Sequence, residues 1–81
     1  MLDKLETELK IRGFSQKTVS SYMLHNQQFL KFINKEPEKI EEQDVKNYLA
    51  YLISEKKYKP RSSSLAMSAL KFFYYNVLNK K

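Results

Sequence analysis

Residues 13–33 read GFSQKTVSSYMLHNQQFLKFI, and this stretch decides the fold class. It opens on Gly13, the one glycine of the chain, which tolerates the left-handed backbone that ends a helix. A new helix is expected at once, because Ser15 offers an N-cap oxygen to the first-turn amides. Val19, Tyr22, Phe29 and Ile33 then recur at helical spacing and mark a core-facing stripe. The other side of the same helix carries Lys17, Thr18, Ser20 and Ser21. Small hydroxyls and a cation at a helix N-terminus suit an anion such as phosphate, since free amides and the positive dipole end lie there.

The neighbouring segments repeat the helical period. Residues 2–12, LDKLETELKIR, space Leu2, Leu5, Leu9 and Ile11 as the apolar positions of one amphipathic helix, with acids early and bases late as the macrodipole prefers. Beyond Asn34 a polar stretch containing Pro37 breaks the second helix, and Ile40 reads as a buried anchor within it. A third helix is predicted from Glu42 to about Lys56, with Val45, Tyr48, Leu49, Leu52 and Ile53 as its apolar stripe. Its cap, Glu41, is weak, and Asp44 in the first turn is expected to compensate through the dipole. The basic link Lys56–Lys59 leads to Pro60, a good first-turn residue, and to a fourth helix ending near Leu78. Ala66, Met67, Leu70, Phe73, Tyr74 and Val77 form its expected core stripe, while Leu65, Phe72 and Tyr75 lie off it. No segment alternates with strand period, so the expectation is an all-α, compact bundle of four helices in one domain over residues 1–81.

Composition narrows the function. Fifteen basic against nine acidic residues give a net charge of +6, which favours an anionic partner. Five of the nine acids fall between Glu36 and Asp44, so one edge is expected to be acidic and the rest basic. There is no cysteine and a single histidine, His25, which reads as an exposed or hydrogen-bonded bystander. The acidic turn lacks the ligand alternation and central glycine of a calcium loop, and no catalytic constellation is visible. We therefore expect no enzyme activity, metal or cofactor. No apolar run is long enough to span a bilayer and no signal peptide is evident, so a soluble cytoplasmic location is expected. Lys17, Thr18, Ser20 and Ser21 open one helix, and Arg61, Ser62, Ser63 and Ser64 open another. Either these form a phosphate grip on nucleic acid, or the serines only cap and solubilise two helix starts; composition leaves both standing. A helical protein-interaction module using Leu65, Phe72 and Tyr75 is the alternative from a different class.

The blocks RGFSQKTVSSY (12–22), Phe29 and Phe32, DVKNYLAYL (44–52) and PRSSSLAMSALKFFYYNVL (60–78) resemble the N-terminal core-binding domain of tyrosine recombinases, the phage-integrase and Xer-like family. The likeness runs from Leu2 to about Leu78. It implies a SAM-like orthogonal helical bundle forming half of a clamp on double-stranded DNA for recombination or integration, with the second and fourth helices against the major groove. By position it implies DNA contacts from Lys17, Thr18, Ser20, Ser21 and Leu24 and from Arg61, Ser62, Ser64, Leu65 and Ser68. It further implies that the recombinase's own catalytic domain, and neighbouring protomers packing on the first helix, are partners. The catalytic residues belong to that other domain, with Lys80 and Lys81 near the start of an interdomain linker. On this reading the chain is an excised domain or a truncated gene product. Five positions depart from the family pattern: Met23 and Leu24 stand where bases are frequent, Leu65 where arginine is common, Asn26 where leucine normally fills the core, and Glu41 where a threonine or serine cap is customary. A buried Asn26 needs hydrogen-bond partners for its amide.

Overall fold

Helix breaks fall where the stop and start chemistry puts them. A computed structural model describes residues 2–80; Lys81, placed in a linker above, lies outside them. Four α-helices run over Leu2–Ile11 (α1), Gln16–Ile33 (α2), Glu42–Ser54 (α3) and Pro60–Phe72 (α4), with a 3₁₀ turn at Pro37–Lys39 and a π-helical turn at Phe73–Val77. No strand occurs among the described residues.

Gly13 closes α1 with φ +80°. Its N–H donates to the Lys10 carbonyl at 3.0 Å and the Phe14 N–H to the Leu9 carbonyl at 3.1 Å, the paired bonds of a Schellman motif. Ser15 then caps α2, its Oγ accepting from the Thr18 N–H at 3.2 Å. At α3 the compensation by Asp44 is a direct bond as well as a dipole effect: Glu41 N–H donates to Asp44 Oδ2 at 2.8 Å. Lys35 Nζ reaches both Asp44 oxygens at 3.0 Å. Burial pushes the Asp44 carboxyl up, but the Glu41 amide and the Lys35 ammonium outweigh it and hold the group below the usual carboxylate range.

The core is built from one face of every helix. Leu5 and Leu9 of α1, Val19 and Phe29 of α2, Ile40, then Val45, Tyr48 and Leu52 of α3 meet Ala66, Leu70, Phe73 and Tyr74 at the C-terminal end. Ile40 is fully buried, as its position between two polar runs suggested.

Four expectations need correction. The fourth helix does not continue to Leu78 in α geometry; it gives way after Phe72 to a wider turn, in which Phe73 and Tyr74 are both buried. The third helix stops at Ser54 rather than Lys56, and Lys57 takes a left-handed φ of 57°. Ile11, Ile53 and Met67, assigned to apolar stripes, are 73%, 52% and 37% exposed. Ile53 lies about 140° around α3 from Tyr48, at the stripe's edge. On α4 the enclosed position is Ala69, not Met67. Ala66 and Ala69 are small enough for α2 to approach closely, and Asn26 Nδ2 donates to the Ala69 carbonyl at 3.0 Å.

His25 is the fourth correction. It is half-buried, and its Nδ1 is enclosed without a partner. Burial of the ring lowers its pKa below the ordinary 6.5. The unfolded chain therefore takes up a proton near pH 6.5 while the folded one still refuses it, so stability is full above that pH and declines as pH falls towards the folded value. The thermal midpoint is expected to be lower at pH 5 than at pH 7, with the histidine part of that difference removed in His25→Gln. An unchanged pH profile in that variant rejects this origin.

Candidate nucleic-acid interface

The outward face of α2 follows from its inward one. With Val19, Asn26 and Phe29 buried, the residues about half a turn away are Lys17, Ser21, Leu24, Gln28 and Lys31, a stripe at every third or fourth position. Lys17, Ser20 and Leu24 are exposed, whereas Thr18 and Ser21 are half-buried. Thr18 is also engaged locally, its hydroxyl accepting from Ser15 Oγ at 3.1 Å. Gln16 Nε2 donates to Ser20 Oγ at 3.2 Å. At this helix start the capping reading of the hydroxyls accounts for Ser15 and Thr18.

The start of α4 is different. Lys59 at the N-cap makes no side-chain capping bond, and the first turn contains no acid. Ser63 Oγ donates to the Pro60 carbonyl at 3.1 Å instead of capping an amide. The amides of the first turn thus face outward beside the exposed Arg61, Ser62 and Ser64. Leu65 and Ser68 continue the exposed face one turn further on.

These two groups do not merge into one cluster. The rings of Tyr22 and Phe72 lie 6.0 Å apart, and Asn26 bonds to Ala69, so contacts climb α2 as they descend α4. Lys17 precedes Asn26 by nine residues and Arg61 precedes Ala69 by eight, about 14 Å and 12 Å of helix on either side of the crossing. Two positive ends flank a middle where Leu24 and Leu65, 52% and 43% exposed, present apolar surface.

Charge is sorted in the same way. Among the described residues the ion pairs are Lys10–Glu6, Arg12–Glu8, Lys35–Asp44 and Lys46–Glu42. Every one of these lies on or beside α1 and α3. Lys17, Lys31, Lys56 and Arg61 enter none of them, nor do Lys4, Lys39, Lys57, Lys59 and Lys71, and α2 and α4 themselves contain no acid. Arg12 is committed elsewhere: its guanidinium bonds Asn76 Oδ1 at 3.2 Å and sits 5.3 Å above the Phe72 ring. Gln28 and Lys31 were not singled out from the sequence, although they extend the Lys17 stripe at its own period.

No group of His, Asp or Glu among the described residues is arranged to hold a metal ion, and no described helix is long and apolar enough to cross a membrane. Comparison with known proteins finds a match over residues 1–81 to the family model described as "Phage integrase, N-terminal SAM-like domain". A curated protein of Sinorhizobium fredii (strain NBRC 101917 / NGR234), "Putative integrase/recombinase y4qK", is 31% identical over 77 residues. That alignment covers 95% of this chain and 25% of the relative, so the chain spans about a quarter of that protein's length.

Proposed function

Because the chain belongs to the phage integrase N-terminal SAM-like domain family, we propose that it is a DNA-binding module that grips duplex DNA for site-specific recombination and does no strand cleavage itself. One observation supports the reading: α2 and α4 contain no acid, their cations Lys17, Lys31 and Arg61 enter none of the described ion pairs, and the start of α4 is uncapped. Arg61, with Ser62 and Ser64, is assigned to phosphate at one end and Lys17, with Ser20 and Ser21, at the other. Leu24, Leu65 and Ser68 between them suit the floor of a groove, where leucine methyls meet thymine methyls. Thr18 Oγ1 accepts from Ser15 and keeps its own hydroxyl proton for a phosphate. The partners on this reading are double-stranded DNA, a catalytic domain and neighbouring recombinase protomers, in the cytoplasm.

Phosphate contacts release counterions, so affinity falls as about the 0.9 power of salt for each phosphate neutralised. Arg61→Ala is expected to weaken binding to all sequences alike and to flatten the log–log salt slope by about 0.9. Titrating a short duplex at several salt concentrations checks this, and an unaltered slope takes Arg61 out of the interface. If neither protein binds duplex at any salt, the nucleic-acid reading fails and the helical interaction module replaces it.

A further inference from the structure

Where α2 ends, α3 ends and the link to α4 begins, a cleft of ≈ 420 Å³ opens to solvent. Its floor is aromatic. The rings of Phe32 and Tyr51 lie 4.7 Å apart, tilted by 37°, and Tyr48 stacks beside Tyr51 at 6.2 Å and 26°. Tyr58 from the link adds a fourth ring to the lining. These rings are not core in the ordinary sense: Phe32 is 42% exposed, and Tyr51 and Tyr58 are half-buried. Only Tyr48 is enclosed, at 3%. The remaining polar lining is Gln28, Lys31 and Lys56, with no acid.

An occupant must therefore be flat enough to lie on aromatic faces, able to accept hydrogen bonds from phenols and an amide, and anionic. An unmodified peptide side chain of the same bulk lacks the combination of ring and strong negative charge, and a nucleotide has both. Base stacking on aromatic rings tolerates any base, and lysines beside the rings meet its phosphate. Position agrees with chemistry. Gln28 and Lys31 continue the outward stripe of α2, and Tyr58 stands two residues before Pro60, where the uncapped α4 begins.

We propose that this cleft receives one unstacked nucleotide of the bound DNA, the base on Phe32, Tyr51 and Tyr58 and the phosphate between Lys31 and Lys56. The proposal rests on the DNA-binding reading above and adds to it a preference for DNA in which a base has left the helix. Paired duplex engages the outer faces of α2 and α4 only; a duplex with an extrahelical base engages the cleft as well.

The test uses the full chain with two short duplexes of the same sequence, one fully paired and one bearing a single extrahelical 2-aminopurine. The bulged duplex is expected to bind about tenfold more tightly, the scale of one base stacked on aromatic rings, and its 2-aminopurine emission is expected to be quenched. Tyr51→Leu and Tyr58→Leu, each checked for folding by thermal unfolding, are expected to abolish both the preference and the quenching. Equal affinity for the two duplexes without quenching overturns the cleft proposal and leaves the DNA-binding reading intact. So does a preference that survives both substitutions. Binding to neither duplex removes the DNA-binding reading and the cleft proposal together, so the two failures are distinguishable.

Discussion

Asn26→Asp is expected to destabilise the domain by about 3–5 kcal/mol at neutral pH, a large part of the roughly 4–12 kcal/mol that a domain of this size has in total. The native amide is fully buried and directs its Nδ2 at two backbone carbonyls, those of Tyr22 at 2.9 Å and Ala69 at 3.0 Å. A carboxylate of the same shape has no proton to offer either one. It brings a negative charge against two carbonyl oxygens inside the α2–α4 crossing, where water cannot solvate it. Its escape is to remain protonated, which satisfies one carbonyl and makes the variant recover stability as pH falls. Asn26→Leu serves as the contrast. The Ala69 carbonyl keeps the backbone N–H of Phe73, and leucine removes the Asn26 Oδ1, which is buried without a partner. Loss of two bonds and relief of one orphan acceptor nearly offset, so the leucine variant is expected within about 1 kcal/mol of the parent. Urea unfolding of the three proteins decides it, and an aspartate variant as stable as the leucine one refutes the account.

Phe73→Ala carries the second large effect, also about 3–5 kcal/mol. Phe73 is fully buried at the point where α4 widens, and α1 packs against the turn it begins. Cutting the ring away leaves a void that α1 and α4 cannot close without giving up the Leu5, Leu9 and Leu70 contacts on either side. Tyr75→Ala, two residues on, provides the control. Tyr75 is 41% exposed and meets Tyr74 edge-on at 5.2 Å, so its loss is expected to cost under about 1 kcal/mol. Comparable urea midpoints for the two alanine variants contradict the burial pattern.

The elements that local chemistry dictates were legible in the sequence. Gly13 and Ser15 bound α1 and α2 because stop and cap act within four residues, and Pro60 starts α4 for the same reason. What depended on a neighbour was not legible. Met67 has more apolar surface than Ala69, yet the close approach of α2 buries the smaller side chain and leaves the larger one outside. The switch to π geometry after Phe72 is not encoded by periodicity, which continues unbroken through Phe73, Tyr74 and Val77. His25 misled for a similar reason: whether a ring nitrogen finds a partner depends on what packs over it. In the candidate interface, both hydroxyl-rich helix starts were visible as residues. That one is self-capped and the other open, and that they stand on opposite sides of a crossing, required the fold. The aromatic cleft assembles Phe32, Tyr51 and Tyr58 from three separate segments, and no local pattern announces it.

A π-turn has an evolutionary reading. Phe73–Val77 behaves as a helical turn that has absorbed one surplus residue, its wider spacing marked by the bond from the Leu78 N–H to the Phe73 carbonyl at 3.0 Å. Such slack is reversible. A deletion of one residue there returns the backbone to α geometry and turns everything after it by about 100°. A relative lacking one residue at this place is expected to keep the same bundle and to send its following segment off in a different direction, a heritable adjustment of aim.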